Sequence, residues 1–203
     1  MARLSTFLRD TRGVTAVEMA ILAPLLFTGL LSTFDLGLYV WRWNQAVQAA
    51  RIGVRIAAVS DPVSSDLSSM TGLETTGSVA GEPAGAYERV CTGSASTCSG
   101  GVYSVAAMNR LFYGVQGTEC VEGSPRAQRG MCDVLNGLNL SDITVSYRHS
   151  GVDTAGTAGA LRPLVSVRIS GARANLVLFG RLLPATLPAT EMTMLAEDMR
   201  SSA

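Results

Sequence analysis

Residues 19–41 read MAILAPLLFTGLLSTFDLGLYVW, and this stretch decides the fold class. It carries one charge, Asp35, and the run 19–34 carries none. A helix rises about 1.5 Å per residue, so the segment is roughly 35 Å long, enough to cross a hydrocarbon core of about 30 Å. A cleaved secretory signal would have a shorter apolar stretch and then a small-x-small cleavage site. Here Leu30 runs on into Leu31, Ser32, Thr33, Phe34, Asp35, Leu36 and Gly37 without such an ending, which predicts a retained anchor. Pro24 predicts a local kink one turn into the span, which helices in lipid tolerate. Asp35, about 30 Å from Val14 along the axis, is expected at the interface.

The flanks set the topology. Arg3, Arg9 and Arg12 precede the span and Arg42, Arg51 and Arg55 follow it, so counting positive charges gives a tie. The leading arm is short, however, and all four cysteines lie in the trailing part, which favours the arm inside and the long domain outside. Tyr39, Trp41 and Trp43 would form an aromatic belt at the outer interface. Beyond them Asn44, Gln45, Gln48, Arg51 and Arg55 fall on one helical stripe. Ala46, Val47, Ala49, Ala50, Ile52, Val54, Ile56 and Ala57 cover the rest, so the helix is predicted to leave the membrane with one wet face and a broad apolar one.

The remainder reads as a small α+β domain. Residues 60–86, rich in Ser, Thr, Gly and Pro, predict a linker or long loop. Over 102–115, Val105, Met108, Leu111, Phe112 and Val115 recur at helical spacing and predict a short amphipathic helix. After Leu140 the period becomes two: Ile143, Val145 and Tyr147, then Val165, Val167 and Ile169, then Met192 and Met194 alternate with polar residues. Three such runs predict a small antiparallel sheet with one buried face. Residues 175–179 fit a further strand or a partner contact. The organisation is therefore a short basic arm at 1–13, a transmembrane and continuing amphipathic helix at 14–59, a linker or loop at 60–86, and an outer α+β domain at 87–203.

Charge and cysteine usage narrow the function. Sixteen arginines balance sixteen acidic residues and there is no lysine, so the basic patch that nucleic-acid binding requires is missing. An even set of cysteines, Cys91, Cys98, Cys120 and Cys132, predicts two disulfides in an oxidising compartment. Three pairings are possible; Cys91–Cys98 with Cys120–Cys132 closes the shortest loops. A zinc site is the rival, but no Cys-x-x-Cys is present and His149 is the only histidine, so neither metal nor other cofactor is expected. Without lysine there is no phosphate-binding Gly-x-x-x-x-Gly-Lys loop, and no Gly-x-Ser-x-Gly or His-Glu-x-x-His occurs, so no enzyme is expected. His149 reads as a solvated loop residue. Glu119, Glu122, Glu197 and Asp198 read as surface charges rather than paired catalytic carboxylates.

The entry to the span is more specific. Arg12-Gly13-Val14-Thr15-Ala16-Val17-Glu18 precedes the apolar run, after a short basic leader. A carboxylate is costly at membrane depth and less so near a helix N-terminus, where it suits the dipole. Gly13, four residues and Glu18 ahead of an apolar helix resemble the prepilin cleavage site of type IV pilins and their relatives. That resemblance implies cutting after Gly13 by a prepilin peptidase, leaving Val14 as the new N-terminus. Glu18 would lie one turn from the new amine on the same face, and in the pilin family the equivalent carboxylate pairs with a neighbouring subunit's N-terminal amine.

The likeness narrows further. Residues 12–20, Leu22-Ala23-Pro24-Leu25-Leu26, Asp35-Leu36-Gly37, and Gln45-Ala46-Val47-Gln48-Ala49-Ala50-Arg51-Ile52-Gly53-Val54-Arg55 resemble the TadE-like family, minor pseudopilins of the Tad (Flp) pilus system. Met19 stands where that family commonly carries an aromatic residue. The resemblance covers about residues 9–60. It implies a single-pass bacterial inner-membrane protein with its C-terminal domain in the periplasm, a structural part of pilus assembly for surface adhesion. Its implied partners are the lipid bilayer, other minor pseudopilins, the major Flp-type pilin, the inner-membrane assembly platform and the prepilin peptidase. The alternative is a signal-anchored periplasmic binding or sensor domain unrelated to pili.

Overall fold

The computed structural model describes residues 14–75, 77–115, 117–123, 129–157, 161–174, 176–177, 180, 185–197 and 199. The expected leader at 1–13, with Gly13, lies outside them. The chain is a long N-terminal helix followed by a small α+β domain with a short helix and a five-stranded antiparallel sheet.

Helix α1, Val14–Val59, runs without interruption through Pro24. Its hydroxyl side chains bond back to their own helix: Thr28 donates to the carbonyl of Pro24 (2.8 Å), Ser32 to Thr28 (2.6 Å) and Thr33 to Leu30 (2.7 Å). This satisfies polar atoms within an apolar segment. The second half of α1 changes character. Ala46, Ala49, Ala50, Val54 and Ala57 are buried at three- and four-residue spacing, while Asn44, Gln48, Arg51 and Arg55 stay exposed. Small alanines let the helix lie close over the sheet, where it packs on the strands Leu164–Ile169 and Thr190–Leu195 and touches the short helix Val105–Tyr113.

The sheet has the order β2–β1–β3–β4–β5, with β1 at Glu88–Thr92, β2 at Thr97–Cys98, β3 at Ile143–Arg148, β4 at Leu164–Ile169 and β5 at Thr190–Leu195. The alternation read from the sequence is the one that folds. Ile143, Val145 and Tyr147 on β3 face Ile169, Val167 and Val165 on β4 in register, all fully or nearly fully buried. The other face is polar: Ser146, Ser166 and Thr193 align across three strands, and the last two share a hydrogen bond of 2.8 Å. Met192 and Met194 sit on the core side of edge strand β5; Met192 is partly buried and Met194 exposed. Three strands were expected and five form. Strand β1 reads Glu-Arg-Val-Cys-Thr, which hides its period, and it is held from both sides by β2 and by β3.

Helix α2, Val105–Tyr113, is shorter than the expected 102–115. Ser104 caps it, its side chain accepting the Ala107 N–H, and Gly114 ends it at φ 84°. Met108, Leu111 and Phe112 point into the core as the spacing predicts, while Val105 is exposed.

The described residues of 60–86 form one short 3-10 turn, Ser65–Ser68, and otherwise loop, but not a free linker. Val63, Leu67, Met70 and Ala84 belong to the core. Its backbone is stitched to distant segments: Ser65 N–H to the Val102 carbonyl, Ser104 N–H to Val63, Gly81 N–H to Ala155, and Ala84 N–H to Asp153, each at 2.8–2.9 Å. Buried backbone groups need partners, and here non-local ones supply them. The buried Tyr147 hydroxyl accepts the Val63 N–H at 2.9 Å, fixing the chain just after α1 to the centre of the sheet.

Candidate assembly interface

The first half of α1 is bare. From residue 17 to 34 every side chain except Ala23 and Ser32 is exposed, Met19, Leu26 and Leu30 by two thirds or more. Patches of this kind are not left to water by a soluble monomer. The helix Val17–Val59 is long and apolar enough to cross a membrane. Glu18 stands exposed on this rod, one turn beyond Val14, where α1 begins. Among the described residues nothing pairs with its carboxylate.

Asp35 departs from expectation. It is 1% exposed and therefore not a headgroup-facing charge. The cause is non-local. Residues 172–174 and 185–187 form a narrow antiparallel ribbon, with Arg173 opposite Thr186, the Ala174 N–H on the Ala185 carbonyl (2.9 Å) and the Leu187 N–H on the Ala172 carbonyl (2.8 Å). Just past its first arm, the Val177 N–H donates to the Asp35 carboxylate at 2.8 Å. Ser32, Asp35, Leu36 and Tyr39 of α1 line a shallow apolar depression with Leu176 and Ala185 of the ribbon. Of the expected strand or contact at 175–179, Leu176 and Val177 are in contact with α1 and form no strand; Asn175, Leu178 and Phe179 lie outside the described residues.

Further along α1, Trp41 and Trp43 are exposed while Tyr39 packs against the core. The Arg42 guanidinium lies 5.5 Å from the centre of the Trp41 ring and donates to the Asn136 carbonyl at 3.3 Å. At Gly53 the helix passes tightly against the domain: a Cβ there would sit 2.5 Å from the sulfur of the fully buried Met131. Met131 and Cys132 are in turn tied to α2 through the carbonyls of Leu111 and Phe112. The glycine therefore permits helix α1 to seat on Met131.

The cysteines pair as Cys91–Cys98, across the β1–β2 hairpin, and Cys120–Cys132, which closes that loop. The Asp133 carboxylate braces the loop from inside, accepting the Val121 N–H at 2.7 Å and the Gly130 N–H at 3.0 Å. His149 is not in open solvent as expected. It packs edge-on to Tyr87, with Nδ1 3.6 Å from the buried carboxylate of Asp153. The Tyr87 hydroxyl donates to the same carboxylate at 2.9 Å. Burial, with the neighbouring Asp153 charge, pushes the Tyr87 phenol far above its ordinary range. Glu119, Glu122 and Glu197 are exposed, and Asp198 lies outside the described residues.

The bare rod and the wet stripe are legible in the sequence because they are local patterns. The ribbon over Asp35 is not, its one signal being the apolar run at 176–179 outside the expected span. No curated protein and no solved structure matches the chain. Residues 13–55 match the family model described as TadE-like protein, so the likeness to that family covers the N-terminal helix as far as the seat of Gly53.

Proposed function

We propose that this chain is a minor pseudopilin-like structural protein in the assembly of a Tad (Flp) pilus used for surface adhesion. In this reading α1 anchors it once in the bacterial inner membrane and the α+β domain stands in the periplasm. It works by packing and charge pairing, without bond chemistry or cofactor. The observation that carries the reading is the bare apolar half of α1 with Glu18 exposed on it, within the segment that matches TadE-like proteins. A rod that its own domain leaves uncovered offers its surface to lipid first and then to partner helices. Those partners are sister minor pseudopilins, the major Flp-type pilin and the inner-membrane assembly platform.

Processing precedes assembly. A prepilin peptidase removes residues 1–13 after Gly13, and the new Val14 amine belongs beside a carboxylate such as Glu18 of a neighbouring subunit. An unpaired charge at membrane depth is penalised, so pairing fixes the register between helices. N-terminal sequencing of membrane-extracted protein tests this: Val14 is expected first, and Gly13→Lys is expected to block the cut. A mature chain that still begins at Met1 or Ala2 would overturn the reading.

A further inference from the structure

Beyond the bare rod the exposed surface of α1 narrows to a single file. From residue 44 to the helix end only Asn44, Gln48, Arg51, Arg55 and Val59 are exposed, the rest being half or fully buried. The file continues into the apolar half through Trp41, Gly37 and Phe34. From Phe34 to Arg55 its steps alternate between three and four residues, the spacing of a seam that takes one further helix rather than of a broad face that covers a domain. At Gly37 no atom lies within 4 Å of where a Cβ would stand, so a second helix can approach closely there.

The chemistry changes along the file. It is apolar as far as Trp41, carries amides at Asn44 and Gln48, and then presents two guanidinium groups one turn apart. Arg89, Arg110 and Arg148 each meet a carboxylate of their own domain, but among the described residues no carboxylate pairs with Arg51 or Arg55. A second copy of this chain would enter the membrane the same way and run parallel, setting arginine against arginine. From Leu36 to Val59 the helix has no acidic residue, so the facing stretch of a copy has no carboxylate to offer.

We propose that this file is the docking seam for a helix of a different subunit, anchored in the same membrane and carrying Asp or Glu opposite Arg51 and Arg55. The proposal names the partner's chemistry within the assembly reading above and rests on that reading and on α1 as a membrane span. A helix that packs on the apolar half and follows the file passes the two arginines about 32 Å beyond Phe34 at the farthest. The apolar half supplies contact with any neighbour, while the arginines choose among neighbours. Opposite charges across a helix seam fix partner and register, and like charges reject a copy.

The test uses the full chain in two differently tagged forms, co-expressed in a bacterial host without pilus genes. One form is wild type; the other carries Arg51→Glu and Arg55→Glu and so presents carboxylates where the seam calls for them. A benzophenone amino acid at Gln48 reports contact along the file, and one at Val152, in the exposed loop after β3, is the control. Two opposite-charge contacts in place of two like-charge ones are expected to favour mixed pairs over either like pair by about tenfold at Gln48, with no preference at Val152. In the pilus-forming host, Arg51→Glu with Arg55→Glu is expected to lose surface piliation at matched protein levels and unchanged Tm, and Arg51→Lys with Arg55→Lys to keep it. Mixed pairs no more abundant than like pairs, or a Gln48 probe that labels lipid in place of protein, overturns the seam. Normal piliation of the charge-reversed chain equally overturns it and leaves the anchor and Glu18 standing. Failure of the pilus reading itself shows separately, as a wild-type chain that still begins at Met1, because the pairing preference is read without pili.

Discussion

Replacing Tyr147 by Phe tests whether the sheet holds the exit of α1 in place. Tyr147 is fully buried at the centre of β3, and its hydroxyl accepts the N–H of Val63, itself 1% exposed and four residues beyond the end of α1. Deleting the oxygen strands that N–H in a dry site. An unsatisfied buried donor costs about 1–3 kcal/mol, and the lower half applies because the cost of burying the hydroxyl disappears with it. A loss of about 1–2 kcal/mol lowers Tm by about 2–8 °C at the roughly 2–4 °C per kcal/mol of chains this size. The assay is thermal unfolding of the full chain in detergent, with Ile143→Val as a packing control expected to cost about 0.5–1.5 kcal/mol. Hydrogen exchange supplies the local readout: the Val63 amide should exchange faster in Tyr147→Phe and unchanged in Ile143→Val. An unaltered Tm together with unaltered Val63 exchange would refute the claim that this hydroxyl ties 60–86 to the sheet.

All four cysteines should resist alkylation until reductant is added, and Cys91→Ser with Cys98→Ser should cost about 2–3 kcal/mol by loop-closure entropy, read as a lower unfolding midpoint. Asp66 gives an acid limb to stability. Burial raises its carboxyl, but bonds from Ser64 and Arg89, the latter at 3.0 Å, outweigh this and leave it below the ordinary value. A depressed carboxyl contributes stability above its unfolded pKa of about 3.9 and loses it as pH falls through the lower folded value. Asp66→Asn should therefore be less stable than wild type at neutral pH, with the gap closing in strong acid; a gap independent of pH would contradict the pairing.

What could be read from the sequence was what repeats at short range. The bare rod, the wet stripe from Asn44 to Arg55 and the in-register pairs of β3 and β4 all follow from periods of 3.6 and 2, which need only neighbouring residues. Residues 60–86 have no period because their hydrogen bonds go to Val102, Tyr147, Asp153 and Ala155, far along the chain. Asp35 and His149 were misread for the same reason. Val177, far along the chain, encloses Asp35, and Tyr87, just ahead of β1, packs on His149 and holds Asp153, which is only four residues from His149. Strand β1 was hidden because a disulfide and two flanking strands, rather than alternation, hold it.

In the proposed function α1 joins its partners through Glu18, and Glu18→Gln isolates that contribution. The amide keeps the shape and hydrogen bonding of the side chain and removes its charge. Breaking one side of a buried ion pair typically costs about 3–5 kcal/mol, enough to dissolve an assembly contact. The measurement is co-purification with the other pseudopilins together with surface piliation, at matched protein levels and with processing checked. Glu18→Gln is predicted to insert and be cut normally yet fail to co-purify and to support pili. Normal co-purification and piliation would contradict the account.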